Sequence, residues 1–150
     1  SDIILNTDFA ATLADYAGVN APSCSEGRSF RDNLKGETPR DWRQSMYYRY
    51  WTHHKIRPAH MGIRGHRYKL MFLYGDPLNA TGSDKAPVTP SWEFYDLLAD
   101  PHENHNLYGS PTYAGEIEKM KRELLKLRRE IGDTDAANPR MQEIMDAYYW

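Results

Sequence analysis

The stretch from Tyr48 to His60 gathers the side chains best suited to holding a small polar ligand. It reads Tyr48-Arg49-Tyr50-Trp51-Thr52-His53-His54-Lys55 and continues past Pro58 to His60. An imidazole donates to or accepts from a hydroxyl, and a neighbouring anion sets its charge near neutral pH. Aromatic rings present flat apolar faces for stacking, and Arg49 offers a planar fork for a carboxylate or sulfate. His60, His53, His54, Tyr48 and Arg49 are therefore the candidate ligand contacts, with His60 first. The competing reading is that histidines in a polar loop are simply exposed and that tyrosines on a sheet pack. No catalytic set stands beside them. Cys24 is the sole cysteine, which excludes an internal disulfide and a thiolate metal cluster. Asp100 and Glu103 belong to a turn, Glu116, Glu118 and Glu123 lie on a solvated helix face, and no metal-ligand spacing is present.

Composition narrows the partners. Nineteen basic and 21 acidic side chains leave a formal charge of −2, which argues against a surface built to neutralise phosphates of nucleic acid. Apolar runs fall far short of the roughly 20 residues that cross a bilayer. A chain of 150 residues, 40% hydrophobic, can bury one modest core. Aromatic content is high at 13%, and eleven tyrosines dominate it.

The elements that must position the candidates follow from pattern. Residues 6–17 read as a helix, capped by Asn6 or Asp8, with Phe9, Leu13 and Tyr16 on one face and Gly18 ending it. A loop follows, with one apolar turn at Phe30 and Leu34. Residues 45–52 are dense in strand formers and put Met46, Tyr48 and Tyr50 on one face, Tyr47, Arg49 and Trp51 on the other. After a basic, proline-broken loop at 53–60, Met61 and Ile63, then Tyr68, Leu70 and Phe72, alternate about a hairpin turn at Gly65-His66. Residues 75–91 have the composition of a long surface loop and include the sequon Asn79-Ala80-Thr81, relevant only where secreted proteins are glycosylated. Residues 92–98 form another strand, stopped by the turn at 100–103. Arg64 is expected to brace the sheet, against Glu93 or Asp96.

Ser110-Pro111 opens a helix on which Tyr113, Ile117, Met120, Leu124, Leu127 and Ile131 recur at intervals of four and three, so this stripe is core. A second helix near 139–149 aligns Met141, Ile144, Met145 and Tyr148. The fold class is α+β: a small antiparallel sheet of three to four strands packed against a long amphipathic helix, with a helical N-terminal lead-in.

Seven segments, in order, resemble the closing part of the sulfatase family in the alkaline-phosphatase-like superfamily. Asn6-Thr7-Asp8-Phe9-Ala10-Ala11-Thr12-Leu13 with Ala17-Gly18 is similar to its Asp-x-x-Pro-Thr-Leu helix, Ala11 standing where Pro is usual. Gly27-Arg28-Ser29-Phe30 and Leu34-Lys35-Gly36-Glu37 resemble the short pieces that follow. Then come Trp42-Arg43, Gly62-Ile63-Arg64-Gly65-His66-Arg67-Tyr68-Lys69-Leu70, Trp92-Glu93-Phe94-Tyr95-Asp96-Leu97 and Asp100-Pro101-His102-Glu103-Asn104-His105-Asn106-Leu107. The likeness is greatest to the branch acting on sulfated sugars of heparan, N-acetylglucosamine-6-sulfate and iduronate-2-sulfate type.

The resemblance implies a division of the chain. Residues 1–40 would end a catalytic domain, 41–132 would form the C-terminal subdomain, and 133–150 a helical tail. It implies a parent sulfatase using calcium and formylglycine, with both sites upstream, so that this piece holds no cofactor, no metal and no catalytic residue. Cys24-Ser25-Glu26-Gly27-Arg28 spaces Cys and Arg as the formylglycine signature does but lacks its proline. The implied role is a wall of the pocket, inactive alone, with His60-Met61-Gly62-Ile63-Arg64 touching sugar. Implied partners are the upstream catalytic domain and a sulfated sugar, with self-association through the exposed face of the first helix. The implied setting is the periplasm, the lysosome or the cell exterior. Two rival readings are a stand-alone carbohydrate-binding or scaffold module and, last, a complete small enzyme built on the histidines.

Overall fold

The structure, a computed structural model, describes residues 2–150, the side chain of Ala137 excepted. It divides into a unit running to Gln44 and a unit from Ser45 to Trp150.

In the first unit, helix α1 (Asp8–Ala17) ends at Gly18, whose φ of 68° relaxes only without a Cβ. Its start differs from the expected capping. Thr7 holds the cap position without a side-chain bond, and Asp8, already helical, turns its carboxylate inward. That carboxylate accepts from the N–H groups of Leu5 at 2.7 Å and Arg28 at 2.9 Å, and from both Nη atoms of Arg43. Burial alone would raise the acid's pKa, but Arg43 and the two N–H groups hold it below the usual range. Gly27 lies so close to this corner that a Cβ would stand 2.0 Å from the Thr7 carbonyl oxygen. Trp42 is buried, with the guanidinium groups of Arg28 and Arg43 each 4.9 Å from its ring. Ala11, Thr12 and Phe30 are buried too, while Phe9, Leu13 and Tyr16 stay 56%, 68% and 54% exposed. Helix α2 (Arg31–Leu34) is one turn, with Leu34 exposed.

The second unit is built on a four-stranded antiparallel meander of β1 (Ser45–Tyr50), β2 (His60–Gly65), β3 (Tyr68–Leu73) and β4 (Ser91–Asp96), in that spatial order. The hairpin turns at His66 and Arg67, one residue later than expected, because Gly65 still pairs with Ser45 across β1. Register sets the two faces. Arg49 pairs with Met61 and Tyr47 with Ile63, so these share a face with Leu70, Phe72, Trp92 and Phe94. Tyr50 pairs with His60, Tyr48 with Gly62 and Gly62 with Met71, and these occupy the other face.

Helix α3 (Ala114–Glu130), entered through a 3-10 turn at Pro111–Tyr113, lays Ile117, Met120 and Leu124 on the first face. Ser110 makes no side-chain cap bond, and Ile131 at the end of the expected stripe is half exposed, past the last helical turn. Helix α4 (Pro139–Tyr148) adds Met141, Ile144 and Met145 to the same core. Here Tyr149 is buried, not Tyr148. The chain leaves the helix there, and the Tyr149 ring fits between Phe72 and Trp92, at 5.8 Å and 5.0 Å. Arg67, not Arg64, grips Asp96, with contacts of 2.8 Å and 3.2 Å, because the turn aims residue 67 back at the end of β4. Arg64 points to solvent.

Candidate functional site

The five candidate side chains part company in the structure. Three are drawn into the framework, and two remain at the surface of the second unit.

Arg49 faces the covered side of the sheet. Its guanidinium donates to Asp133 at 2.6 Å, lies 3.6 Å from the Trp51 ring centroid, and keeps only 6% of its side chain exposed. Tyr47 donates its hydroxyl to the same carboxylate. The cation expected to meet a ligand therefore meets Asp133.

His53 is wholly buried. Its Nδ1 accepts from the Ala59 N–H at 3.3 Å and its Nε2 lies 3.0 Å from the Ala86 carbonyl. A carbonyl only accepts, so the proton sits on Nε2. The backbone of His53 also receives the Asp84 N–H at 2.8 Å and donates to Ser83 Oγ at 2.9 Å. This ring is a strut between two loops. Polar residues in a loop gave no sign of it, because both partners are backbone atoms.

Tyr48 packs over Gly62, where an added Cβ would come within 2.5 Å of its hydroxyl oxygen. That oxygen is buried and has no hydrogen-bond partner among the described residues. Burial first, then the carboxylates of Glu103 and Glu93, push the phenol's pKa well above its ordinary value.

His60 is different. Its ring stacks on Tyr50 at 5.5 Å and 25°, and meets the edge of Tyr48 at 6.0 Å. Nδ1 stands 2.8 Å from the Pro58 carbonyl, which fixes the proton on Nδ1. Nε2 is then the ring's acceptor, and it takes no partner among the described residues, nor is it one of their buried unsatisfied atoms. The ring is held on two sides and offers one open lone pair, the arrangement needed to orient a ligand hydroxyl.

His54 sits on the loop tip, its Nδ1 3.7 Å from Asp84. Residues 54 and 57 exchange two backbone hydrogen bonds, of 3.1 Å and 2.9 Å, so the tip is a closed turn. Two members of this surface were not singled out in the sequence: Pro58, which orients His60, and Arg57, whose guanidinium lies 4.9 Å over the Tyr50 ring. Their only signal was a place between histidines in a basic loop.

No group of three or more His, Cys, Asp and Glu among the described residues is placed to hold a metal ion. Cys24 is exposed and unpaired, and Arg28 four residues on is committed to Asp41 at 2.9 Å. These side chains do not fit a calcium or formylglycine centre. No helix among the described residues is long and apolar enough to cross a membrane.

An antiparallel meander backed by one long helix is the form of a C-terminal domain of the sulfatase family. The chain belongs to the family of N-sulphoglucosamine sulphohydrolase C-terminal domains, which it matches over residues 1–130. It is 35% identical over 140 residues to the N-acetylglucosamine-6-O-sulfatase of Bacteroides thetaiotaomicron, covering 90% of this chain and 23% of that protein. It is 27% identical over 128 residues to the multifunctional alkaline phosphatase superfamily protein PehA of Trinickia caryophylli, covering 84% and 24%. Among solved structures it resembles a protein in complex with its substrate D-glucosamine-2-N,6-O-disulfate. That match has a TM-score of 0.68 and 33% identity, over 87% of this chain and 25% of the other. The chain thus spans about a quarter of the length of these relatives, and the sulfatase resemblance of its ordered motifs is established.

Proposed function

We propose that this chain is the closing subdomain of a sulfatase that hydrolyses sulfate esters of carbohydrate, forming one wall of the substrate pocket and inactive alone. The observation that carries the reading is the His60 ring, clamped by Tyr50 and the Pro58 carbonyl with Nε2 open. Such an acceptor orients a sugar hydroxyl and so distinguishes one ring stereochemistry from another. The nucleophile and metal would belong to an upstream catalytic domain of the same protein, where formylglycine would supply the nucleophile and calcium the positive charge that stabilises the sulfate group. Residues 1–40 are the end of that domain, and the open face of Phe9, Leu13 and Tyr16 supports this. The enzyme works in the periplasm or outside the cell, on the substrates that reach it there.

The test uses the full-length enzyme with N-acetylglucosamine 6-sulfate. His60→Ala raises KM about tenfold, the loss of one hydrogen bond to a fixed hydroxyl, with a smaller fall in kcat. An unchanged KM overturns the reading, as does turnover by the 150-residue chain alone.

A further inference from the structure

The loop beside His60 carries positive charge that the protein itself does not use. Within the second unit, Arg49, Arg67, Arg128 and Arg140 each pair with a carboxylate. Arg57 is exposed and pairs with none among the described residues, and its guanidinium instead lies over the Tyr50 ring at 4.9 Å. Stacking suits this cation because it occupies the flat face and leaves the in-plane N–H groups free for a planar or tetrahedral anion. Tyr50 is the ring on which His60 stacks, at 5.5 Å. One aromatic side chain therefore links the open acceptor of His60 to the free guanidinium of Arg57.

The surroundings have the form of a receptor. The tip is closed by the paired hydrogen bonds of residues 54 and 57, and the Asp84 carboxylate accepts the Lys55 N–H at 2.9 Å. Asp84 also lies 3.7 Å from His54 Nδ1, and its carboxylate is tied to the turn rather than to Arg57. Backbone N–H and His54 together hold this acid below the usual carboxylate range. A hollow of about 640 Å³ opens between His54, Lys55, Ile56, Arg57 and Asp84, and neither Lys55 nor Arg57 makes an ion pair among the described residues. Ile56 is 96% exposed at its rim, an apolar surface beside two cations. Anionic sugars combine these features, with apolar ring faces and peripheral sulfate or carboxylate groups.

We propose that the turn 54–57 is the anion-reading arm of this site, and that Arg57 selects substrates bearing a second negative group beyond the sugar held at His60. The inference rests on the pocket reading above. It gives Arg57 the role that the sequence suggested for Arg49, and it makes the preferred substrate a sugar carrying two anions, or a sulfated sugar joined to an acidic neighbour.

The experiment compares the full-length enzyme with its Arg57→Ala, Arg57→Lys and His60→Ala variants on two probes: N-acetylglucosamine 6-sulfate and glucosamine 2-N,6-O-disulfate. Arg57→Ala raises KM about tenfold on the disulfate and much less on the monosulfate, while Arg57→Lys recovers part of the loss, since lysine keeps the charge but not the fork. Melting temperatures stay equal, because Arg57 is exposed and braces nothing. Equal effects on both probes, or none, overturn the arm. If His60→Ala still raises KM in that case, the pocket reading survives alone. If His60→Ala is silent, that reading falls whatever Arg57 does.

Discussion

Arg49 and Asp133 join the first strand to the end of the long helix, 84 residues apart in sequence and 2.6 Å apart in space. The pair is nearly dry, and the Tyr47 hydroxyl shares its carboxylate. Truncating either partner leaves the other charged and buried, which costs about 3–5 kcal/mol. Arg49→Ala should therefore lower the urea midpoint of the second unit sharply, followed by the fluorescence of Trp51 and Trp92. An unchanged midpoint would mean the pair is not formed in solution.

Tyr48 should behave in the opposite way. Its hydroxyl is buried without a partner among the described residues, so Tyr48→Phe removes an uncompensated desolvation cost of about 1 kcal/mol and raises the melting temperature of the chain by a few degrees. Gly62→Ala, in contrast, pushes a methyl group into the same hydroxyl and into the Leu70 carbonyl, and should lose about 1–3 kcal/mol. A destabilised Tyr48→Phe variant would show that the hydroxyl is bonded.

The two histidines nearest the site should carry their protons on different nitrogens. His60 is held as the Nδ1–H form by Pro58, and His53 as the Nε2–H form by Ala86. Nitrogen and carbon chemical shifts of a labelled chain, read where both rings are neutral, distinguish the forms. A His60 ring in the Nε2–H form would remove the basis for an open acceptor there.

Lys121 gives the second unit an unusual alkaline response. Its ammonium group is buried beside Trp92 at 4.3 Å and Tyr108 at 5.2 Å, and donates to the Tyr149 carbonyl at 2.5 Å. Burial lowers its pKa from 10.5 to about 8, so between these values the unfolded chain holds the proton that the folded one has released. Stability should climb as pH rises from about 8, up to the onset of tyrosine ionisation near 10.0 in the unfolded chain. Lys121→Met should abolish the slope, and a wild-type stability that is flat or falling over that range would refute it.

The framework was readable wherever a single segment decides it. Alternation fixed the hairpin faces from Met61 to Phe72, and the stripe of Ile117, Met120 and Leu124 announced a helix that covers the sheet. What the sequence hid depends on partners distant in the chain. Lys121 and Arg128 look like solvated helix positions until Tyr149 and Asp135 fold onto them. Asp8 looks like a helix cap until Arg43 arrives to bind it. The same blindness touched the site: Arg49 and His53 have the right chemistry for a ligand, but Asp133 and two backbone groups claim them. The orientation of the His60 ring, by contrast, depends on a partner only two residues away, the Pro58 carbonyl.

The His53 strut divides its loop into a root and a tip. By fastening Ala59 and Ala86 it fixes where β2 begins, and hence where His60 stands, whatever happens between residues 54 and 57. The tip can lengthen, shorten or change charge without moving the acceptor that it overlooks. On the proposed pocket, ligand preference would thus be separable from architecture, set by the four residues of that turn while the histidine beneath it stays in place.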